Sequence, residues 1–223
     1  MDRLLSGLTS FDELTEGLPL HKNYLVLGDK ESGKEMFLYK LLQNALQNKS
    51  GVLYITISKS ADEVVSEILK TAPQISSYLG SSLKLIDDFS RSVSSQATDN
   101  AYTKVLNGPL DLTGLSVAMS SINSDFIKDG YQVVNILNSV SSLLLYNNNA
   151  TVFRFLQFVC GRSKISGATS IYALDENMHT PEVTETTKSL MDGIIKLKLG
   201  DDGKRYFIAT GIDKEVLTWS PLQ

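Results

Sequence analysis

Apolar, β-favouring runs recur along the chain, and segments of helical length separate them. Near-continuous apolar runs of this kind predict strands that are buried on both faces of a sheet. The predicted strands cover residues 24–27, 52–57, 83–86, 132–137, 169–173, 194–199 and 206–209. Between them, residues 37–45, 64–69 and 115–126 carry apolar side chains at helical spacing. This alternation predicts an α/β fold, a mostly parallel central sheet with helices on both faces.

Two further segments define the organisation of the chain. The sequence Gly200-Asp201-Asp202-Gly203 is a turn signal between the last two predicted strands, so we expect an antiparallel C-terminal hairpin. Residues 90–108 are rich in Ser, Asn and Thr and are predicted to form a surface loop. With 223 residues and no repeat, the chain is predicted to be a single domain, residues 1–223.

Composition narrows the classes of function. The hydrophobic fraction is 42%, the charged fraction is 21% and the net charge is −4, which argues against broad binding of nucleic acid. Cys160 is the only cysteine and there are two histidines, so we expect neither an internal disulfide nor a Cys/His zinc cluster. The N-terminal sequence has no signal-peptide pattern and no stretch approaches 18 apolar residues. We therefore predict a cytoplasmic protein that does not span a membrane.

A phosphate-loop pattern follows the first predicted strand and precedes a predicted helix. In such a loop the glycines let backbone N–H groups face a phosphate, the lysine reaches the β- and γ-phosphates, and a Ser or Thr after the lysine ligates Mg²⁺. Here a glutamate occupies the hydroxyl position. The candidate nucleotide-binding residues are Gly28, Asp29, Lys30, Glu31, Ser32, Gly33, Lys34 and Glu35.

Several segments together resemble KaiC-like members of the RecA ATPase superfamily. The opening Ser6-Gly7-Leu8-Thr9-Ser10-Phe11-Asp12-Glu13-Leu14-Thr15-Glu16-Gly17-Leu18-Pro19 is similar to the stretch that leads into their Walker A loop. The similarity continues, in the same order, through segments 51–57, 83–90, 138–144 and 190–197. The resemblance implies a RecA-like P-loop NTPase fold and, in active relatives, hydrolysis of ATP with Mg²⁺.

Four positions, in three parts of the motif set, depart from the pattern of the active relatives. Glu35 replaces the Walker A hydroxyl, Asn138 replaces the Walker B aspartate, and Ser58 and Lys59 replace the acidic pair after the second strand. An ionised Glu35 would repel phosphates, Asn138 lacks the charge that orients metal-bound water, and Lys59 cannot act as a carboxylate base. The resemblance and these departures together predict a degenerate ATPase with no catalytic residues and no metal ligands.

We expect a regulatory or signalling protein that binds ATP or ADP weakly at most, for which Mg²⁺ binding is doubtful, and that acts through a protein partner. The resemblance also implies a homo-oligomeric ring. The alternative is a slow ATPase with an atypical metal site in which Glu35 binds the metal directly. A third hypothesis, nucleic-acid binding, conflicts with the acidic balance of the chain.

Other residues with chemical potential have structural interpretations. Lys34 either retains phosphate binding or is a counter-charge that holds the loop closed against Asp29, Glu31 and Glu35. Asp87 and Asp88 follow a strand and are either site carboxylates or turn and cap residues. We predict that His179 is a surface loop residue and that Cys160 fills the core.

Overall fold

A computed structural model describes residues 3–223 of the chain. Within these residues the β-strands are β1 Arg3–Leu4, β2 Leu18–Pro19, β3 Asn23–Gly28, β4 Ser50–Thr56, β5 Leu83–Asp87, β6 Thr103–Val105, β7 Gln132–Asn138, β8 Thr169–Asp175, β9 Gly193–Leu199, β10 Arg205–Thr210 and β11 Val216–Pro221. The α-helices are α1 Thr9–Thr15, α2 Lys34–Gln47, α3 Ala61–Thr71, α4 Ser90–Val93, α5 Leu112–Lys128, α6 Val140–Tyr146, α7 Asn149–Ser166 and α8 Pro181–Lys188. Two 3₁₀ helices cover Pro73–Tyr78 and Glu176–Met178.

In the described part of the chain, nine strands form one sheet in the order β11-β10-β9-β3-β8-β7-β4-β5-β6. The seven strands from β9 to β6 are parallel, and β10 and β11 add antiparallel to that sheet. Strands β1 and β2 form a separate antiparallel pair. The parallel α/β architecture and the antiparallel hairpin β9–β10 confirm the predicted fold class.

Helices cover both faces of the parallel strands. Helices α1, α2 and α3 pack on one face, where Phe11, Phe37 and Tyr54 are fully buried. Helices α5, α6 and α7 pack on the other face, where Phe126 and Tyr172 are buried. This two-sided cover explains why β3 and β4 are buried at every position, as their continuous apolar sequences predict.

One expectation about local structure was wrong. Residues 90–108 are not simply a loop, because they contain helix α4 and strand β6, which pairs with β5 at the edge of the sheet. Strand β6 has only three residues, too few for an apolar pattern to reveal it. The predicted C-terminal hairpin is present, and β11, whose largely exposed side chains form no apolar run, extends it. Among the described helices, none is long and apolar enough to cross a bilayer.

Candidate functional site

The two glycines of the phosphate-loop pattern have steric reasons for being glycine. A Cβ atom at position 28 would overlap the Ser32 hydroxyl. Gly33 has φ +86°, a left-handed conformation that side chains disfavour, and a Cβ there would overlap the aliphatic part of Arg205. The loop between β3 and α2 is therefore a tight turn, and the side chain of Arg205, at the start of β10, lies against it.

The backbone N–H groups of this loop find acceptors within the loop itself. Glu31 N–H donates to Asp29 Oδ1 at 3.0 Å, and Ser32 N–H donates to the Asp29 carbonyl at 3.4 Å. Lys34 N–H donates to Ser32 Oγ at 3.3 Å, and that hydroxyl donates to the Asp29 carbonyl at 2.7 Å. In an anion-binding loop the successive N–H groups converge on the ligand. Here three of them are satisfied by oxygens of Asp29 and Ser32.

The lysine of the pattern is buried and ion-paired. Its ammonium group donates to the Gly28 carbonyl at 3.2 Å and to the carboxylate of Asp175 at the end of β8. The side chain of Lys34 is 8% exposed and that of Asp175 is 25% exposed. This geometry matches a counter-charge role for Lys34. Its partner, however, is Asp175 and not the loop carboxylates of Asp29 and Glu31, which are exposed.

A second charged cluster occupies the positions that ligate Mg²⁺ and activate water in the resembling ATPases. The Lys59 ammonium lies 2.8 Å from Glu35 Oε1 and 2.9 Å from Glu67 Oε2. The Tyr39 hydroxyl donates to Glu67 Oε2 at 2.8 Å and lies 3.4 Å from Glu35 Oε1. Two of the three departures from the family pattern, Glu35 and Lys59, thus form an ion pair with each other.

Protonation equilibria in this cluster follow from burial and pairing. Burial alone would lower the pKa of Lys59, but hydrogen bonds to Glu35 and Glu67 raise it overall. Burial would raise the pKa of Glu67, but Lys59 and Tyr39 lower it overall. Burial and the nearby carboxylates raise the pKa of Tyr39 well above its ordinary value. At physiological pH the cluster therefore contains the Lys59 ammonium, the Glu67 carboxylate and the neutral Tyr39 phenol.

Asn138, the third departure, is connected to the same cluster through two aromatic rings. Its side-chain amide donates to the Tyr54 hydroxyl at 2.9 Å. The rings of Tyr54 and Tyr39 have centroids 6.1 Å apart, a distance at which aromatic side chains interact favourably. Burial raises the pKa of Tyr54, so its hydroxyl stays neutral. The three residues that the sequence resemblance singles out, Glu35, Lys59 and Asn138, thus belong to one network with Glu67, Tyr39 and Tyr54.

These residues do not fit a magnesium ion. The Lys59 ammonium contacts the Glu35 carboxylate, which follows the lysine of the loop. The side-chain amide of Asn138 donates to the Tyr54 hydroxyl. Mg²⁺ needs several oxygen ligands in octahedral geometry. Among residues 3–223, no group of three or more His, Cys, Asp or Glu side chains is arranged to hold a metal.

The remaining candidates from the sequence, Asp87, Cys160 and His179, contact other parts of the fold and not the phosphate loop. Asp87 accepts hydrogen bonds from the backbone of Ala61, Phe89 and Ser90, so it acts as a cap and turn residue. Cys160 is buried in the α5–α7 side of the core, as predicted. His179, by contrast, is not a simple surface residue, because it is half-buried and its Nε2 lies 2.9 Å from Ser141 Oγ. Burial lowers the pKa of His179.

Asp88 differs from its neighbour Asp87. It is fully buried, and neither of its carboxylate oxygens has a hydrogen-bonding partner among the described residues by distance and angle. Burial raises the pKa of Asp88 to about 7; the nearby backbone N–H of Gly108 opposes this rise, although its geometry is too poor for a hydrogen bond, and the charges of Asp111 and Asp87 add to it. Asp88 is thus the candidate carboxyl whose surroundings most disfavour ionisation.

Sequence reasoning missed the residues that partner the motif. Asp175, Tyr39, Tyr54 and Glu67 carry no motif of their own, and Arg205 is remote in sequence from the loop. The register Gly28↔Asp175 between β3 and β8 brings the lysine and its partner together across 141 positions. For Glu67 the sequence contains one weak signal. Glu35 and Tyr39 lie one helical turn apart on α2, so a polar side chain from another element can contact both of them.

The strand–loop–helix unit lies at the carboxyl edge of the parallel strands of an α/β fold. The structure is similar to that of a KaiC-like protein from the hyperthermophilic archaeon Pyrococcus horikoshii OT3, with a TM-score of 0.72, 15% identity, and coverage of 98% of this chain and 92% of that chain. The chain belongs to a family of unknown function, DUF7504, whose model matches residues 22–197. No curated protein matches the sequence.

Proposed function

We propose that this protein is a degenerate RecA/KaiC-like P-loop protein that does not hydrolyse ATP, binds nucleotide weakly at most, and acts through contacts with other proteins. The single observation that carries the proposal is the ion pair between Glu35 and Lys59. It supports the proposal because the two positions that should recruit Mg²⁺ and activate water neutralise each other instead.

The electrostatics around the loop favour the same conclusion. Asp29, Glu31, Glu35, Glu67 and Asp175 surround a site that would have to hold a polyanion. To bind a phosphate, Lys34 would have to leave the Asp175 carboxylate, which would then be partly buried without its counter-charge. The loop N–H groups would also have to exchange their internal acceptors for the ligand. Each step subtracts from the affinity for nucleotide.

A hydrolysis assay tests the catalytic part of the proposal. Purified protein with ATP and Mg²⁺ should release phosphate no faster than the Lys34→Ala variant. Hydrolysis well above that control would instead favour the slow ATPase with Glu35 at the metal. Replacing Mg²⁺ by EDTA provides a second control, since a metal-dependent activity would disappear.

Thermal unfolding tests the binding part. A ligand at about 100 times its Kd adds about 2.7 kcal/mol to the free energy of unfolding, which raises Tm by several degrees in a protein of this size. We expect ATP or ADP at millimolar concentration with Mg²⁺ to raise Tm by less than about 1 °C, corresponding to weak or absent binding. The homo-oligomeric ring implied by the family resemblance stays a prediction, which sedimentation equilibrium can test.

A further inference from the structure

The groove between helices α5 and α7 lies on the face of the sheet opposite to α2. It has a volume of about 190 Å³. Its floor contains Met119, Asn123 and Val159, and its rims carry Ser120 and Phe158. Helix α7 contributes 18 residues and α5 contributes 17, so the groove follows two long, parallel crossover helices.

Exposed apolar side chains border this groove. Phe158 is 54% exposed and Ile127 is 45% exposed, and both line it. Ile165, two turns beyond Phe158 on α7, is 82% exposed. Residues seven apart lie on one face of a helix, so Phe158 and Ile165 form an apolar stripe that no described element covers.

A glycine lies on the same exposed stripe of α7. Gly161 is between Phe158 and Ile165, and a Cβ atom placed on it would have no neighbour within 4 Å. The position therefore exposes helix backbone and leaves room for another element to approach it closely. The serines Ser116, Ser120 and Ser124, on successive turns of α5, leave similar room for a close approach.

Asn123 supplies a second, independent indication. It is 8% exposed and lies on the floor of the groove, and its Oδ1 is buried without a hydrogen-bond partner in the described chain. Buried polar atoms normally have partners. Because this oxygen is enclosed, the Asn123 side chain would have to turn toward the groove to accept a hydrogen bond from a docked polar group.

The charge of α7 indicates the kind of partner. The helix contains Arg154, Arg162 and Lys164 and no acidic residue, although the chain as a whole is acidic. Lys164 is paired with Asp192 at 2.8 Å, but Arg162 lines the groove and has no carboxylate within 4 Å among the described residues. A second copy of this chain docked antiparallel along α7 would place Arg162 beside its own equivalent, which like-charge repulsion disfavours.

We propose that the α5–α7 groove binds an amphipathic helix of a partner protein, with an apolar stripe that covers Phe158 and Ile165 and with acidic residues that pair with Arg162. The partner helix crosses α7 at Gly161, where the missing side chain allows close backbone contact. This is the helix-in-groove mode of recognition. The proposal extends the protein-contact role proposed above, but it rests on this groove and not on the state of the phosphate loop.

The test uses two synthetic peptides of 18 residues, each with leucines at helical spacing. One has glutamates beside the leucines and the other has lysines at the same positions. Fluorescence anisotropy with the full chain should show that the acidic peptide binds at least about tenfold more tightly than the basic one. Absence of binding by the acidic peptide up to about 1 mM, or equal binding of both peptides, would overturn the proposal.

Variants of the groove separate docking from folding. Gly161→Leu adds a better helix former at an open position, so the protein should remain folded while acidic-peptide binding falls at least about tenfold. Arg162→Glu should weaken binding by at least as much. Ser66→Leu, at an exposed position of α3 on the opposite face of the sheet, is the control and should bind like the wild type. Binding that persists in both groove variants contradicts the proposal.

Two measurements on the same preparations distinguish the remaining outcomes. If the wild type dimerises in sedimentation equilibrium and Gly161→Leu does not, the groove binds a second copy of the chain and not a partner helix, which would overturn the proposal. ATP hydrolysis by these preparations would defeat the proposed lack of catalysis while leaving the peptide result intact.

Discussion

The carboxyl edge of the sheet contains two regions that differ in how their charged side chains are paired. At the end of β3 and β8, the buried Lys34 ammonium pairs with the Asp175 carboxylate, and the partly exposed Lys59 pairs with Glu35 and Glu67. After the end of β5, the Asp88 carboxyl is buried, and no side-chain cation among residues 3–223 pairs with it. The first region keeps its charges by pairing them, whereas the second favours a protonated acid. Internal ion pairs can thus stabilise a phosphate loop, while a buried acid after β5, Asp88, makes the stability of the fold depend on pH.

The largest expected effect comes from Asp88→Asn, which removes the unpartnered acid. The pKa of Asp88 is raised from 3.8 to about 7. Because the folded state holds this proton more tightly than the unfolded state, the contribution of Asp88 to stability is full below pH 4 and is lost as pH rises to about 7. The shift corresponds to a loss on the order of 4 kcal/mol. Urea denaturation from pH 4 to pH 8 should show that the variant loses much less stability than the wild type.

His179 contributes with the opposite sign in the same range of pH. Its pKa is lowered, so the unfolded state binds the proton more tightly and stability rises as pH passes through 6.5. The wild-type profile is therefore the sum of both effects, and the His179→Gln variant isolates the Asp88 contribution. Identical pH profiles for Asp88→Asn and the wild type would contradict the assignment of a raised pKa.

The next largest effect tests the paired region. Lys34→Met leaves the Asp175 carboxylate partly buried without its counter-charge and should lower the free energy of unfolding by about 2–3 kcal/mol, less than for a fully buried pair because Asp175 is a quarter exposed. Adding Asp175→Asn to this variant should recover much of the loss. Urea denaturation measures both, and Lys30→Met, at an exposed loop position, is the control. If Lys34→Met and Lys30→Met are equally stable, the pair does not stabilise the loop.

The smallest effect concerns the second cluster. Tyr39→Phe removes the hydroxyl that donates to Glu67, and we expect a loss of about 1 kcal/mol in the free energy of unfolding. Tyr206→Phe is the matched control, because its hydroxyl bonds the exposed Asp202 and its removal should cost little. Equal losses for the two variants would show that Tyr39 does not organise the cluster.

The sequence predicted the parallel strands well because strands buried on both faces carry continuous apolar runs, as in Tyr24–Leu27 and Val52–Ile55. It failed at Thr103–Val105 and Val216–Pro221, where pairing at the edge of the sheet is a property of the backbone and leaves little trace in side-chain hydrophobicity. Edge strands thus need tertiary context to be recognised.

The sequence predicted the residues of the candidate loop but not the partners with which they pair. Motif spacing placed Gly28, Gly33 and Lys34 in one loop, and the resemblance identified Glu35, Lys59 and Asn138 as departures. That Glu35 and Lys59 pair with each other, and that Lys34 pairs with Asp175, depends on strand order and register. Neither is encoded locally, so no motif could have revealed them.

The single tryptophan is an intrinsic fluorescence probe of one end of the sheet. Trp219 lies in β11, with the Lys198 ammonium 4.3 Å from its ring centre. Its emission therefore reports on the antiparallel end of the sheet, whereas far-UV circular dichroism reports on the whole chain. Unfolding curves from the two signals coincide if β9–β11 and the parallel strands melt as one cooperative unit, and they separate if the edge melts first. A label-free measurement can thus follow the periphery of this fold independently of its centre.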